Sequence, residues 1–103
     1  MLTLGLLARL EAKSGKEEEV ATLLRQALEL ANRESTTPLW FALRLGPATF
    51  AIFDAFADEA GRANHLNGPI AAALMDAAPR LLATPPVIER ADVLAAKLPD
   101  RNR

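Results

Sequence analysis

The order in which two hydrophobic periodicities follow each other constrains the fold of this chain more than any other feature. Period two comes first, over MLTLGLLARLEA, where one parity is apolar and the other carries Thr3, Arg9 and Glu11. The apolar set is Leu2, Leu4, Leu6, Ala8 and Leu10. Such alternation predicts a strand with one buried face. Because the apolar run is interrupted early and has no basic residues before it, a signal peptide is not predicted.

A helix is predicted next, from about Gly15 to Arg33. Ser14 and Glu17 have the spacing of a capping box. The acidic residues 17–19 fall in the first turn, where carboxylates suit the helix dipole. Apolar residues then recur at helical spacing, at Val20, Leu23, Leu24, Ala27, Leu30 and Ala31.

Two strands joined by a turn are predicted after ESTTP. The segment LWFALRLG separates into two faces, with Leu39, Phe41, Leu43 and Leu45 on one and Trp40, Ala42 and Arg44 on the other. The turn GPAT follows, where a proline without a backbone N–H ends the strand ladder. TFAIFDAF is the return strand, so the pair is predicted to form a hairpin.

The second half of the chain predicts a divided helix and a last strand. ADEAGRANHL is a short helix capped by Asp58, and NGP interrupts it. Pro69 then suits a first helical turn. The second apolar stripe is Ile70, Leu74, Ala77 and Leu81. VIERADVLAAK, residues 87–97, is predicted to be the last strand.

This order predicts an α+β fold of the ferredoxin-like βαββαβ type, with a four-stranded antiparallel sheet and the second helix split in two. We expect a single domain over residues 1–98 and a polar C-terminal tail over residues 99–103. Two helices can cover only one face of the sheet. Because 50% of the residues are hydrophobic and the mean hydropathy is +0.09, we expect a second copy of the chain to cover the other face in a homodimer.

Composition argues against several classes of function. The chain has no cysteine, and its one histidine with scattered acids matches no metal-ligand spacing. A net charge of -1 without a basic stripe gives no support for nucleic-acid binding. The chain contains no GxGxxG and no P-loop. No apolar run approaches the roughly 18 residues that span a bilayer. We therefore expect a cytoplasmic protein without a membrane partner, a metal or a cofactor.

The fold order together with IFDAFADEAGRANHLNGPI, residues 52–70, resembles the antibiotic biosynthesis monooxygenase family. In that family a strand with an aromatic, an acidic and an aromatic residue leads into a short acidic helix that ends in a histidine. The matching residues here are Phe53, Asp54, Phe56, Asp58, Glu59, Ala60 and His65. The match in fold spans about residues 2–97. The resemblance implies a homodimeric α/β barrel with a pocket between sheet and helices.

The family includes cofactor-free oxygenases of quinols and aromatic polyketides, and it includes members that degrade heme. The heme-degrading members pair an asparagine on the first strand with a tryptophan and a histidine. Here the first strand is LTLGLLARL and has no asparagine, which disfavours heme degradation. Family members also often carry tryptophan in place of Phe56 and glutamate in place of Asp54. The resemblance implies a cofactor-independent monooxygenase that oxidises a small quinol-like or polycyclic aromatic substrate with O2.

Two other functions stay open. One is a non-catalytic dimeric α/β-barrel protein that binds a small hydrophobic ligand, as in a stress response. The other is a purely structural or assembly module. A closed apolar pocket with His65 directed into it would favour chemistry, whereas His65 at the surface beside a filled core would favour these alternatives.

His65 is the central candidate for catalysis. A cofactor-free oxygenase needs a base near the substrate hydroxyl, an apolar pocket and exclusion of water. Histidine suits that role because its ordinary pKa of about 6.5 lies near working pH. Alternatively, His65 caps the end of its short helix, where an imidazolium meets the dipole favourably. Gly61 and Gly68, on either side, would allow this helix to move as a lid.

Three polar residues are grouped with His65 as catalytic candidates. Asn64 would orient a carbonyl, or it is a capping or surface residue. Arg44 would stabilise a phenolate, or it pairs across the sheet with Asp54, the third candidate.

Three aromatic residues are candidates for substrate binding, because an aromatic substrate needs apolar walls. Trp40 would line the pocket or pack at the dimer seam. Phe53 and Phe56 would wall the pocket or belong to the core.

Overall fold

The computed structural model describes residues 1–99 and contains four strands and three helices. In chain order these are β1 Leu4–Glu11, α1 Glu17–Arg33, β2 Leu39–Arg44, β3 Thr49–Phe56, α2 Glu59–Leu66, α3 Pro69–Leu81 and β4 Val87–Asp92. The strands form one antiparallel sheet in the order β2-β3-β1-β4. This confirms the predicted ferredoxin-like fold with a divided second helix. Of the predicted tail, residues 100–103 lie outside the described residues.

The start of α1 differs from the prediction, because the capping box is absent. Lys16 is the N-cap and makes no side-chain cap. Ser14 instead belongs to a turn in which the N–H of Lys16 donates to the carbonyl of Lys13 at 2.9 Å. Gly15 in this turn has a φ of +86°, a left-handed conformation that glycine adopts without steric cost. The predicted cap at Ser14 was therefore wrong, and the helix begins after the turn.

The divided second helix has the predicted boundaries and the predicted buried face. The Asp58 side chain caps α2 by accepting from the N–H of Gly61 at 2.9 Å. Pro69 occupies the first turn of α3. All four residues of the predicted apolar stripe are buried, namely Ile70, Leu74, Ala77 and Leu81.

The last strand is shorter than predicted and ends at Asp92 instead of Lys97. β4 pairs only with β1, and the register places Asp92 opposite Leu4, the first residue of β1. Beyond this point one further backbone bond forms, from the N–H of Val93 to the carbonyl of Thr3 at 2.9 Å. The ladder therefore ends where its partner strand ends.

The core lies between the sheet and the helices. It is formed by apolar side chains from β1, β3, α1 and α3, including Leu10, Val20, Leu24, Phe50, Ile52, Leu74 and Leu81. The largest side chains that are almost fully buried are Phe50, Phe56, Leu10, Val20 and Asp54. Four of these five are apolar, and Asp54 is the exception. Burial of its carboxylate is unfavourable unless hydrogen bonds or an opposite charge compensate for the lost hydration.

The other face of the sheet keeps exposed apolar side chains. Phe41 and Leu43 on β2 are 54% and 42% exposed, and the half-buried Phe53 lies on the same face. The second copy that would cover this face stays a prediction. None of the helices within residues 1–99 has the length and apolar character needed to cross a membrane.

Candidate functional site

His65, in the last turn of α2, is buried between two carboxylates. Its Nε2 lies 2.9 Å from Oδ2 of Asp54, and its Nδ1 lies 2.7 Å from Oε1 of Glu34. The ring of Phe56 packs beside the imidazole, with 5.5 Å between ring centroids. Only 7% of His65 is exposed. The residue is therefore not a surface cap of its helix.

The position of α2 depends on close backbone packing against the segment that follows α1. A Cβ on Gly61 would lie 2.9 Å from the carbonyl oxygen of Thr36, and one on Gly68 would lie 3.3 Å from Oε2 of Glu34. At Gly61 the neighbouring atom is backbone, which cannot turn aside, whereas at Gly68 it is the end of a side chain, which would have to shift by a few tenths of an ångström. Of the two glycines that the sequence analysis named for a lid motion, Gly61 thus permits the close approach of α2 to this segment, which carries His65 with it.

Glu34 is the site residue that the sequence analysis missed. It ends α1 as the C-cap, and its Oε1 accepts from Oγ1 of Thr37 at 2.8 Å as well as facing His65. A carboxylate at the C-terminus of a helix is disfavoured by the helix dipole, so it needs a compensating partner. The glutamate directly after the predicted end of α1 was therefore the feature of the sequence that could have identified Glu34 as a site residue.

The charge state of His65 follows from its two partners. Burial would lower the pKa of His65, but the hydrogen bonds to Asp54 and Glu34 and their negative charges outweigh burial and raise it above 6.5. A neutral imidazole carries one N–H and could donate to only one carboxylate. The geometry and the charges therefore both favour the imidazolium form.

A small cavity of about 30 Å³ adjoins this pair between the sheet and the helices. Its polar lining residues are Asp54 and His65, and its apolar lining is Leu6, Ala8, Ile52, Leu66, Ile70, Ala71, Leu74 and Ile88. Oδ1 of Asp54 is buried and has no hydrogen-bond partner within residues 1–99. A cavity that holds benzene measures about 150 Å³. This one admits a hydroxyl or another water-sized group, but not an aromatic ring.

Two of the predicted polar candidates lie away from His65. Nη2 of Arg44 donates to Oε2 of Glu18 at 2.8 Å, and the guanidinium lies 5.0 Å above the ring of Phe50. The register places Phe50 opposite Arg44, so the predicted pair of Arg44 and Asp54 does not form. Asn64 is exposed on α2.

The predicted aromatic residues are divided between the two faces of the sheet. Phe56 lies beside His65. Trp40 lies directly opposite Asp54 in the β2–β3 register, and its indole Nε1 is buried without a partner in the described part of the chain. Phe53 is on the other face, where its ring covers the position that a Cβ on Gly5 would take, at 3.3 Å.

A second, larger concavity runs between α1 and β2. It measures about 380 Å³ and is lined mostly by apolar side chains. Its lining is Ala21, Leu24, Arg25, Leu28, Trp40, Phe41, Ala42, Leu43, Arg44 and Phe50. This groove has the size of a small-molecule site.

The site does not have the geometry of a metal centre. No group of three histidine, aspartate or glutamate side chains within residues 1–99 is placed to hold a metal ion. The imidazole separates the carboxylates of Glu34 and Asp54, because each bonds to a different ring nitrogen. The three side chains therefore do not converge on one point.

Comparison with known proteins defines the class of this fold. No family model matches the chain, and no curated protein matches it. A solved structure of an antibiotic biosynthesis monooxygenase is 16% identical, with a TM-score of 0.75 over 89% of this chain and 99% of that chain. A Nitrosomonas europaea protein provisionally named as such a monooxygenase is 18% identical, with a TM-score of 0.79 over 89% of this chain and 99% of that chain. The predicted resemblance is thus confirmed at the level of the fold.

A second Nitrosomonas europaea protein is far more similar. It is 61% identical, covers 97% of both chains and has a TM-score of 0.94, and its function is unknown. The chain belongs to the family of this protein, and its fold is the one that the named antibiotic biosynthesis monooxygenases share.

Proposed function

We propose that this protein is a cofactor-independent monooxygenase that oxidises a small quinol-like or polycyclic aromatic compound with O2. One observation carries the proposal. Asp54 is a buried carboxylate with one oxygen that has no hydrogen-bond partner among the described residues, beside a cavity whose other walls are apolar apart from His65. The shared fold supports the class of reaction, and the buried carboxylate supplies the base that this reaction needs.

In this proposal Asp54 is the base and His65 is its anchor. Both nitrogens of His65 face carboxylates, so neither is free to accept a proton from a substrate. Oδ2 of Asp54 is held by His65, which leaves Oδ1 to accept the proton of a hydroxyl group. The other side chains that line the cavity are apolar, which lowers the local dielectric and strengthens each of these interactions.

The reaction needs no reductant besides the substrate. The hydroxyl proton passes to Asp54, and the resulting anion gives one electron to O2, forming superoxide and a carbon-centred radical. These two combine into a C–O bond. The proton on Asp54 then returns to the distal oxygen, the O–O bond breaks, and one oxygen leaves as water with two hydrogens of the substrate. The substrate supplies all four electrons, and the other oxygen stays in the product.

The cavity size limits how the substrate binds. Only the hydroxyl end fits beside Asp54, so the ring must occupy the mouth of the cavity, at the partly exposed residues Leu66, Ala71 and Ile88. Ile88 is 42% exposed and can turn outward at little cost. We expect Ile88→Ala to raise kcat/KM for three-ring substrates more than for hydroquinone itself.

Oxygen uptake with hydroquinones and anthrone-like phenols, without flavin or metal, tests the proposal. We expect turnover by the wild type and its loss in Asp54→Asn and His65→Ala. Glu18→Gln removes a carboxylate that pairs with Arg44 at the surface, and it is the matched control. Unchanged turnover in the first two variants would keep an oxygenase and discard this site. The absence of uptake with every substrate would count against the enzyme.

The groove between α1 and β2 favours a second function, the binding of a small hydrophobic ligand without chemistry. Trp40 is the one tryptophan of the chain and lines this groove. We expect an apolar aromatic ligand to change its fluorescence on titration, and Leu28→Glu to abolish that change. Binding of the same ligand by Leu28→Glu with unchanged affinity would place the ligand elsewhere.

A further inference from the structure

We propose that Glu34 is a positioning residue of this site: it holds the Nδ1–H of His65, so that the Nε2–H stays on Oδ2 of Asp54 and Oδ1 remains free for the substrate proton. This inference rests on the proposed function, because Asp54 is the proposed base. It concerns a residue at the end of α1 that no sequence motif marks.

The contacts indicate how many protons the cluster of Glu34, His65 and Asp54 shares. The imidazole lies within hydrogen-bond distance of two carboxylate oxygens, at 2.7 Å and 2.9 Å. An ionised carboxylate only accepts hydrogen bonds, so each contact requires one proton. Two protons shared by Glu34, His65 and Asp54 leave the cluster with a net charge of -1. A neutral imidazole between two ionised carboxylates would instead set a lone pair against an oxygen.

That net charge gives the cluster its capacity for a third proton. The side chains of Asp54 and His65 are 2% and 8% exposed, and that of Glu34 is 13% exposed, so the negative charge is poorly hydrated. Accepting the substrate proton neutralises the cluster. Without Glu34 the imidazole would lose one of the two charges that keep it protonated, and its hold on Asp54 would weaken.

In the part of the chain that the structure describes, the charged groups bonded to the His65 ring are two carboxylates. Asp54 approaches from β3 and Glu34 from the end of α1. On α2 itself, Arg62 is turned away, since its guanidinium donates to Glu59 and to the backbone carbonyl of Gly5. The protonation of His65 should therefore respond mainly to the two carboxylates.

Glu34 is itself held in place by the turn that follows α1. Oγ1 of Thr37 donates to the same Oε1 that faces His65, at 2.8 Å. The other oxygen lies close to Gly68, where a Cβ would approach it to 3.3 Å. The Glu34 carboxylate is thus aimed at the imidazole by the turn after α1, independently of any substrate.

The single histidine makes the inference directly measurable. Nitrogen-15 NMR of the His65 ring across a pH titration reports both ring nitrogens without overlap. In the wild type we expect two ring N–H protons that exchange slowly with water at neutral pH. In Glu34→Gln, which keeps the shape of the side chain and removes its charge, we expect the titration midpoint to fall by about 1 pH unit or more. Glu18→Gln should titrate as the wild type does.

Two results would overturn the inference. One is a Glu34→Gln midpoint equal to that of the wild type. The other is a wild-type ring with one protected N–H, which decides the matter even if the variant does not fold. Neither readout depends on turnover, so the inference about Glu34 and the proposed reaction fail separately.

Steady-state kinetics of Glu34→Gln test the positioning role together with the proposed reaction. With a substrate that the wild type oxidises, we expect Glu34→Gln to lower kcat, to leave KM unchanged and to shift the pH profile of kcat in the same direction as the NMR midpoint. A lower kcat with an unshifted pH profile would indicate a merely structural role and would contradict the positioning role.

Discussion

Nε2 of His65 lies 2.9 Å from Oδ2 of Asp54, and this contact joins the end of α2 to the interior face of the sheet. Both side chains are almost completely buried. Asp54 is flanked on its own strand by Ile52 and Phe56 on the same face, so the carboxylate has an apolar setting on both sides. The position of α2 and the ionisation of the pair are therefore coupled.

The stability of the protein should depend on the protonation of His65. Its pKa is raised in the folded state, so its contribution is fully present below the unfolded value of about 6.5 and is lost as pH rises through the folded value. We expect the free energy of unfolding from urea titrations to fall over that window. His65→Gln should lack this part of the pH dependence. An equal fall in the variant would mean that another group causes it.

The contact of Asp54 with His65 should appear as an energetic coupling. We expect Asp54→Ala to lower the free energy of unfolding by about 3–5 kcal/mol, because it leaves an imidazolium with one of its two partners and no replacement inside the core. In a double-mutant cycle with His65→Ala, the two losses should fall short of additivity by about 0.5–3 kcal/mol. Strict additivity in urea denaturation would show that the pair contributes nothing as a pair.

Gly61 should not tolerate a methyl group, although alanine is the better helix former by about 1 kcal/mol. A Cβ at this position would lie 2.9 Å from the backbone carbonyl of Thr36, and backbone cannot turn aside as a flexible side chain does. We expect Gly61→Ala to lower the free energy of unfolding by about 1–3 kcal/mol.

Gly46→Ala is the control for that substitution. Nothing lies within 4 Å of the added Cβ, so the change should be neutral or slightly stabilising. Equal thermal midpoints for the two variants would show that α2 does not depend on the close approach of Gly61 to the segment after α1.

The exposed apolar face of the sheet should be the contact between two copies of the chain. Phe41 is 54% exposed on this face, and Phe41→Glu should convert a dimer into a monomer in light scattering at micromolar concentration. Met75 on α3 is exposed to a similar degree, 55%, but lies on the helical side, so Met75→Glu should leave the dimer intact. A monomeric wild type would contradict the predicted homodimer.

The elements of this fold could be predicted because each depends on neighbours in the chain. Alternation identified β1 and β2, the turn GPAT identified β3 as a return strand, helical spacing identified α1 and α3, and Asp58 and Pro69 marked the starts of α2 and α3. The start of α1 could not be predicted in the same way. Ser14 could either cap the helix or belong to a turn with a left-handed Gly15, and the structure has the turn. The two conformations have the same hydrophobic periodicity, so periodicity does not distinguish them.

The site was only partly predictable from the sequence. The motif drew attention to Asp54, Phe56 and His65, which the structure brings together. Arg44 lies outside that motif and was selected as a cation that would stabilise a phenolate or pair with Asp54, and the strand register excludes that pair by placing Trp40 opposite Asp54. The register depends on how many residues of the turn between β2 and β3 stay unpaired. A shift of the register by one residue moves every side chain of a strand to the other face of the sheet.

The sequence by itself determined the order of the elements, the apolar stripes and the one histidine, since these are properties of short stretches. Only the tertiary structure decided that His65 has two carboxylate partners. Glu34 and His65 are 31 residues apart in the chain, and they meet where Gly61 lets α2 approach the segment after α1 more closely than a residue with a Cβ would permit. Contacts of that kind depend on packing between elements, where a difference of a few tenths of an ångström separates an ion pair from a clash.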